Sequence, residues 1–417
     1  MTSLLTSCSR FAVAEASRLR IVHVTSYQVP GYGYEEIQLA REQQRLGHEV
    51  FIVTSNYLHP PGRFYGVLQQ RFPKRQVPPQ EENTDGVTVV RLTAIEVQRR
   101  VWILGLERQL RRLRPDIVHA HNLMQFNSVR AALMRATRRG SFGLVIDDHM
   151  LYSVMRGDRL GRLVYFGYRH LLGGVVAGNV DRFCAATDES RRYLQQECGV
   201  RTDIPIMPLG VDVDLFRPSA AARQEWRERL GLTPDGILVL YTGKVIPSKR
   251  LRELAAAVLE LRRQGHGVSL VIVGDADDAY RESVLALARA AGSAPSVRIL
   301  ASMPQAELAG LYAAADMAVW PGTESMAIFE ALASRLPVIV SRRSAYAKVV
   351  TAGAGLTFDP ENQASLTGAV RSLFDPASRE AMGAYGRSVV ERDYSWRRSA
   401  ERYLSVYMEI HQARVRQ

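Results

Sequence analysis

Two lysines bracket one short segment, Gly243-Lys244-Val245-Ile246-Pro247-Ser248-Lys249. An apolar run precedes it, and Leu251, Leu254, Val258 and Leu261 follow at helical spacing, so it reads as a strand-to-helix loop. Two ammonium groups beside a helix start capped by Ser248 can neutralise a diphosphate without a metal. Solvated surface lysines are the plainer reading of the same residues. The order is not the phosphate loop GxxxxGK[ST].

Other strand ends carry similar possibilities. Gly31 and Gly33 precede a helical pattern, where backbone N–H groups can approach an anion or simply make a turn. The dinucleotide fingerprint GxGxxG fails because Glu36 stands at its last position, which disfavours an NAD enzyme. Glu324-Ser325-Met326-Ala327-Ile328-Phe329-Glu330 places two carboxylates around small residues at a helix start. They can accept hydrogen bonds from sugar hydroxyls, or merely suit the helix dipole. His149 follows the apolar run 144–146, and His119 and His121 share one face of another strand. No third ligand at zinc-like spacing accompanies that pair, so no metal site is expected.

Elements must hold these residues at one place. From Arg20, short apolar runs at 21–24, 49–54, 87–90, 116–119, 144–146 and 182–185 alternate with helical patterns. A second series at 237–240, 270–273, 297–300, 317–320 and 338–340 does the same. Such runs suit parallel strands covered on both faces, hence two doubly wound α/β domains facing a cleft. Ligands of such sheets bind beyond the carboxyl ends of the strands, where the residues above fall. The expected boundaries are a loose N-terminus at 1–17, a first domain at 18–205, a linker at 206–220, a second domain at 221–390 and a C-terminal helix at 391–417, capped by Ser395. Residues 56–85, rich in proline and polar side chains, read as one long surface loop.

Lys+Arg 54 against Asp+Glu 42 gives a net charge of +12, so some face should meet an anion: a phosphorylated small molecule, a membrane surface or nucleic acid. Cys8, Cys184 and Cys198 lack paired spacing, which supports neither disulfides nor a zinc knuckle. The first 17 residues lack the basic start of a signal peptide, and no stretch is apolar enough to span a bilayer. The expectation is a reduced, cytoplasmic protein.

Several longer segments, in order, resemble glycosyltransferase family 4, retaining nucleotide-sugar enzymes of the GT-B architecture. They include Arg45-Leu46-Gly47-His48-Glu49-Val50, Arg114-Pro115-Asp116-Ile117-Val118-His119-Ala120-His121 and Met207-Pro208-Leu209-Gly210-Val211-Asp212. Val271-Ile272-Val273-Gly274-Asp275 and Glu330-Ala331-Leu332-Ala333-Ser334-Arg335-Leu336-Pro337 continue the series. The resemblance implies that Lys244 and Lys249 hold the donor diphosphate, and that His149 lies near the anomeric carbon. It gives the glycine turn to Gly31, with Gly33 as alternative, and the ribose hydroxyls to Glu330. Gly243 and the segment Ser325, Met326 and Ala327 would line the donor. The acid that opens the family's Glu–x7–Glu motif should fall at Gly322; either Glu324 replaces it through a shorter loop or the sugar is held differently. The implied reaction retains anomeric configuration, needs no metal or other cofactor, and passes a sugar to a saccharide or lipid-linked acceptor. Asp275-Ala276-Asp277 mimics a metal-binding DxD but falls in a glycine-rich loop of this architecture.

Two rivals share the scaffold. A nucleotide-sugar epimerase would use the donor alone, and a non-catalytic basic-surface protein would use only the charge; no aromatic-interleaved RNA-binding motif appears. Arg99, Arg100, Arg108, Arg111, Arg112 and Arg114 interleave with Val101, Trp102, Ile103, Leu104 and Leu106 in what reads as one basic helical stretch. Such a helix suits peripheral binding at an anionic membrane surface, or equally an ordinary half-buried position.

Overall fold

The computed structural model describes residues 18–416 apart from 32–33, 62–67, 69–70, 85, 98–99, 138–140, 150–165, 234 and 324. The expected loose terminus, Arg99 and the site candidates Gly33 and Glu324 therefore lie outside the described residues.

The first series of apolar runs becomes β1 (Arg20–Val24), β2 (Glu49–Ser55), β3 (Gln80–Thr84), β4 (Val87–Leu92), a separate hairpin of β5 (Ala94–Val97) and β6 (Arg100–Ile103), then β7 (Ile117–His121), β8 (Gly143–Asp148) and β9 (Arg182–Ala185). Seven of these form one sheet in the order β3-β4-β2-β1-β7-β8-β9, parallel except for β3 at the edge. Alternate side chains enter different cores. Ile21 packs among Ile37 of α1 (Glu35–Arg45) and residues of the C-terminal helix, while Val22 and Val24 face the opposite layer. That two-sided burial is why the central strands are mostly apolar, with the buried His23, His119, His121, Asp147 and Asp148 among the exceptions.

The second sheet runs β12-β11-β10-β13-β14-β15, from β10 (Ile237–Thr242), β11 (Val268–Val273), β12 (Val297–Leu300), β13 (Met317–Trp320), β14 (Val338–Ser341) and β15 (Gly355–Phe358). All its pairings are parallel. Strand order reverses at β1/β7 in the first sheet and at β10/β13 in the second. Crevices at such reversals are where these sheets take ligands.

The C-terminal segment returns to the first sheet. Among the helices that matter for the site, α2 (Leu106–Leu113) and α3 (Phe126–Ala136) belong to the first domain. The second contains α4 (Leu251–Arg263), α5 (Asp278–Ala290), α6 (Gln305–Ala314) and α7 (Ala327–Ala333), and α8 (Trp396–Val415) closes the chain. Ser395 caps α8 by accepting from Arg398 N at 3.3 Å. The segment before α8 pairs with the linker, Val211 N donating to Tyr394 O at 2.8 Å, and α8 then packs on α1. Gly210 is obligatory at this crossing, because a Cβ there would lie 2.6 Å from Trp396 backbone atoms.

Three local expectations are corrected. Residues 56–85 are not strandless: β3 forms within them, its polar side chains suited to a one-sided edge. The basic stretch is not one helix. Arg100, Val101, Trp102 and Ile103 form β6, paired with β5, and Gly105 in the left-handed region (φ 74°) starts α2 only at Leu106. Ser248 caps nothing: a short 3₁₀ turn, Pro247–Lys249, and left-handed Arg250 (φ 55°) precede α4. The Tyr280 hydroxyl accepts instead from Leu251 N at 2.8 Å and Arg252 N at 3.3 Å. The sequence reading also omits β5 and β15, each only 4 residues long.

Candidate active site

The loop after β10 begins at Gly243 (φ 138°), in a conformation that disfavours a side chain. It is braced against the loop after β13. Thr323 N donates to Ser248 O at 3.1 Å, and a Cβ on Gly322 would lie 2.2 Å from that same oxygen. Glycine at 322, where the resemblance placed an acid, is thus demanded by the close approach of two backbones. Lys249 Nζ donates to Thr323 O at 3.0 Å, which tethers the ammonium of this half-buried residue at the adjoining loops, whereas Lys244 is exposed. The two lysines do share one loop. The first two N–H groups of α4 are already taken by Tyr280, so only the helix dipole, and not these donors, serves an anion there.

Ser325 Oγ accepts from Ala327 N at 3.3 Å, and Met326 precedes α7. Glu330, in the first turn, accepts from the Tyr312 hydroxyl at 3.0 Å, which itself meets Thr242 Oγ1 at 2.6 Å. Burial pushes Glu330 up to about 7, against the hydrogen bond from Tyr312. Tyr312 and Thr242 were missed by the sequence reading: Tyr312 looks like one more apolar helix position until the fold sets α6 beside α7.

Across the cleft, Gly31 (φ 74°) makes the turn before α1, with open space around it. His149 Nδ1 lies 3.2 Å from Glu35 Oε2. A cavity of about 250 Å³ between the domains is lined by Glu35, Glu36 and His149 from the first, Met326 and Glu330 from the second, and the linker at Gly210–Asp212. His149 and Glu330 are therefore brought to one space. Lys244 and Lys249 do not line it; they sit at the neighbouring loop, joined to it through Thr323 and Ser325.

The sequence offered no third partner for His119 and His121, yet the fold supplies one. His23 of β1 is the register partner of His119, and ring nitrogens of the three lie within 4.8 Å of one another. That spacing is within reach of a metal ion, but the ring nitrogens already face Asp147, Gln43, Tyr407 and one another. His121 Nδ1 and His119 Nε2 lie 2.9 and 3.1 Å from Asp147 Oδ2, and His121 Nε2 lies 3.0 Å from His23 Nδ1. His23 Nε2 meets Gln43 Oε1 at 2.8 Å, Gln43 Nε2 donates to the Tyr407 hydroxyl at 3.4 Å, and that hydroxyl meets His119 Nδ1 at 2.7 Å. One assignment satisfies all of these contacts: cationic His121, anionic Asp147, and neutral His23 and His119 each carrying the proton on Nε2. The electrostatics agree. Burial lowers His23 and His119. Burial also opposes charge on His121, but Asp147 overrides it and raises the imidazole to about 9. Burial likewise opposes charge on Asp147, and His121 and His119 outweigh it to hold that carboxyl well below its usual range.

The DxD-like carboxylates have structural partners. Asp275 accepts from Ser302 Oγ at 2.6 Å, and Asp277 caps α5 by accepting from Tyr280 N at 3.1 Å. Cys184 and Cys198 are buried free thiols.

Two Rossmann-like domains whose switch-point crevices face a shared cavity define the GT-B architecture. Residues 37–215 match the family described as Glycosyltransferase Family 4, and residues 222–389 match the family described as Glycosyl transferases group 1. The chain belongs to glycosyltransferase family 4 and is a glycosyltransferase. It is 27% identical to a D-inositol 3-phosphate glycosyltransferase of Acidothermus cellulolyticus, over 93% of this chain and 89% of that one. It is 26% identical to a GDP-mannose-dependent alpha-(1-6)-phosphatidylinositol dimannoside mannosyltransferase of Mycobacterium tuberculosis, over 93% and 95%. A crystal structure of Anabaena HepE in complex with UDP and glucose superposes with a TM-score of 0.66 at 16% identity, covering 93% of this chain and 99% of that one. Both relatives are named as transferases, which favours neither the epimerase nor the non-catalytic reading.

Proposed function

We propose that this glycosyltransferase moves a sugar from a nucleoside-diphosphate donor to a saccharide or lipid-linked acceptor, with retained anomeric configuration and without a metal or other cofactor. The observation that carries the reading is the shared cavity, where His149 and Glu330 from separate domains meet beside the Lys244–Lys249 loop. In this reading Glu330 accepts the ribose hydroxyls, with Gly243, Ser325, Met326 and Ala327 along the donor. Lys249, anchored on Thr323, and Lys244 offset the charge of the departing diphosphate. His149 donates a hydrogen bond near the anomeric carbon, and the donor phosphate takes the acceptor's proton. The GDP-mannose dependence of one relative supports a nucleotide-sugar donor. A screen of nucleotide sugars for thermal stabilisation and hydrolysis, run with and without EDTA, tests it. Turnover that survives the chelator and yields the retained anomer by NMR is expected; turnover lost with EDTA and restored by Mn²⁺ would overturn metal independence.

A specific surface supports an acceptor at an anionic membrane, in place of the basic helix expected from sequence. Ile95 and Trp102 are cross-strand partners in the β5–β6 hairpin and are 55% and 44% exposed. Val97, Leu104 and Phe126 are exposed too, and Arg108, Arg111 and Arg112 on the solvent side of α2, with Arg114 just past its end, are exposed as well. Apolar side chains beside arginines fit the boundary between anionic headgroups and acyl chains. Among the described residues no helix is long and apolar enough to cross a membrane. The reading is peripheral attachment at the cytoplasmic face. The second relative, named for a phosphatidylinositol dimannoside, supports a lipid-linked acceptor. Nucleic acid is not part of this reading.

A further inference from the structure

His149 does not face the cavity unsupported. Its side chain is 41% exposed, while that of Glu35, the first residue of α1, is only 8% exposed and reaches His149 Nδ1 at 3.2 Å. Behind Glu35 lies the buried circuit: its carboxylate, the His121 imidazole and the Asp147 carboxylate have ligand atoms within 4.8 Å of one another. Glu35 thus stands between a fixed network and an open cleft. A buried carboxylate is costly unless something pairs with it, and His149 is the cleft-side partner. Conversely, the tautomer and tilt of an imidazole are set by whatever engages its second nitrogen. With Nδ1 facing the Glu35 carboxylate at 3.2 Å, Nε2 is the nitrogen left for a ligand.

We propose that Glu35 is a positioning residue for glycosyl transfer: it holds the His149 imidazole by Nδ1–H so that Nε2–H is presented to an oxygen of the donor in the cavity. The proposal rests on the donor reading above. No bond is made or broken at either side chain, and the gain is a preset hydrogen-bond donor where charge develops.

The groups facing Glu35 are His149 beyond the end of β8, Asp147 on β8, His121 on β7, Cys184 on β9, and Tyr403 and Tyr407 on α8, with Glu36 next to it in the chain. Burial and the Asp147 charge push Glu35 up to about 7, against the pull of His149. Burial opposes charge on His149 as well, but Glu35 outweighs it and raises the imidazole. The ion pair therefore weakens as pH falls below neutrality and Glu35 takes up a proton.

The test uses the full chain labelled with ¹⁵N-histidine, and the imidazole signal missing from His149→Ala identifies the residue. In Glu35→Gln, which keeps size and shape, the titration midpoint of that signal should fall by about one pH unit or more, the change expected from losing an adjacent opposite charge. With the nucleotide sugar selected by the donor screen, kcat should drop about tenfold and lose its acid limb near neutrality, while KM stays within about twofold and melting temperature is unchanged. An unmoved imidazole overturns the proposal, and so does a shifted imidazole with unchanged kcat and pH profile. Absence of turnover in the wild type with every donor would sink the transfer reading and this proposal with it. The imidazole titration would then still show whether the pairing exists apart from any reaction.

Discussion

The Tyr407 hydroxyl meets His119 Nδ1 at 2.7 Å, although 288 positions separate them in the chain. Through this contact the last helix completes a buried circuit that begins on β1, crosses β7 and β8, and ends beside the cleft. Removing the hydroxyl leaves an acceptor on His119 and a donor on Gln43 without partners in a dry interior. Tyr407→Phe should therefore lower unfolding stability by about 1–3 kcal/mol, the cost of stranding buried polar groups, in urea denaturation at neutral pH. A loss below a few tenths would show that the circuit closes without the helix.

Glu330 gives stability a pH dependence of definite sign. Its carboxyl, raised to about 7 in the folded chain, ionises at lower pH once unfolded. Its stabilising contribution is complete below the unfolded value near 4.5 and is lost as pH rises through about 7. Glu330→Gln should be more stable than wild type at pH 8 by about 1–3 kcal/mol and nearly equal to it at pH 5, since each pH unit between the folded and unfolded midpoints is worth about 1.36 kcal/mol. The same variant should bind nucleoside diphosphate more weakly if the carboxylate takes the ribose. Parallel stability curves for the two proteins from pH 5 to 8 would contradict the assignment.

Lys249 is held at the loop junction by Thr323 rather than left to roam in solvent. Lys249→Ala should weaken nucleoside diphosphate binding by about 1.5–3 kcal/mol, the scale of a hydrogen bond to a charged group, as read by isothermal titration. Unchanged affinity for both GDP and UDP in the folded variant would remove Lys249 from the site.

The exposed hairpin makes a salt-dependent prediction. Co-sedimentation with anionic liposomes should fall steeply between low and high salt, because screening shortens the reach of the α2 arginines. Trp102→Ser combined with Arg111→Glu should abolish it, whereas neutral liposomes should recover little protein at any salt. Equal recovery in the supernatant with and without anionic liposomes at low salt would favour a soluble acceptor.

The alternation of strands and helices, and with it two α/β domains, is legible in the sequence itself. Apolar runs such as 21–24 and 237–240 are long enough to declare themselves, and their period is a local property of the chain. Lys249, His149 and Glu330 stand out too, because each lies in the stretch between a strand's end and the next helix's first turn, where glycine, proline and polar residues interrupt the apolar pattern. Which strands are neighbours came from the assembled sheets alone. That order set His23 beside His119, Tyr312 against Glu330, and Glu35 against His149. None of these pairs has a signature in spacing, since partners 18 to 114 positions apart meet only after the sheets assemble and α1 docks. The division of residues 99–114 between a strand and a helix was hidden for a related reason. Gly105 and the pairing of Arg100–Ile103 with β5 override a helical pattern of arginines and apolar residues, because the hairpin's cross-strand contacts exist only once β5 is in place.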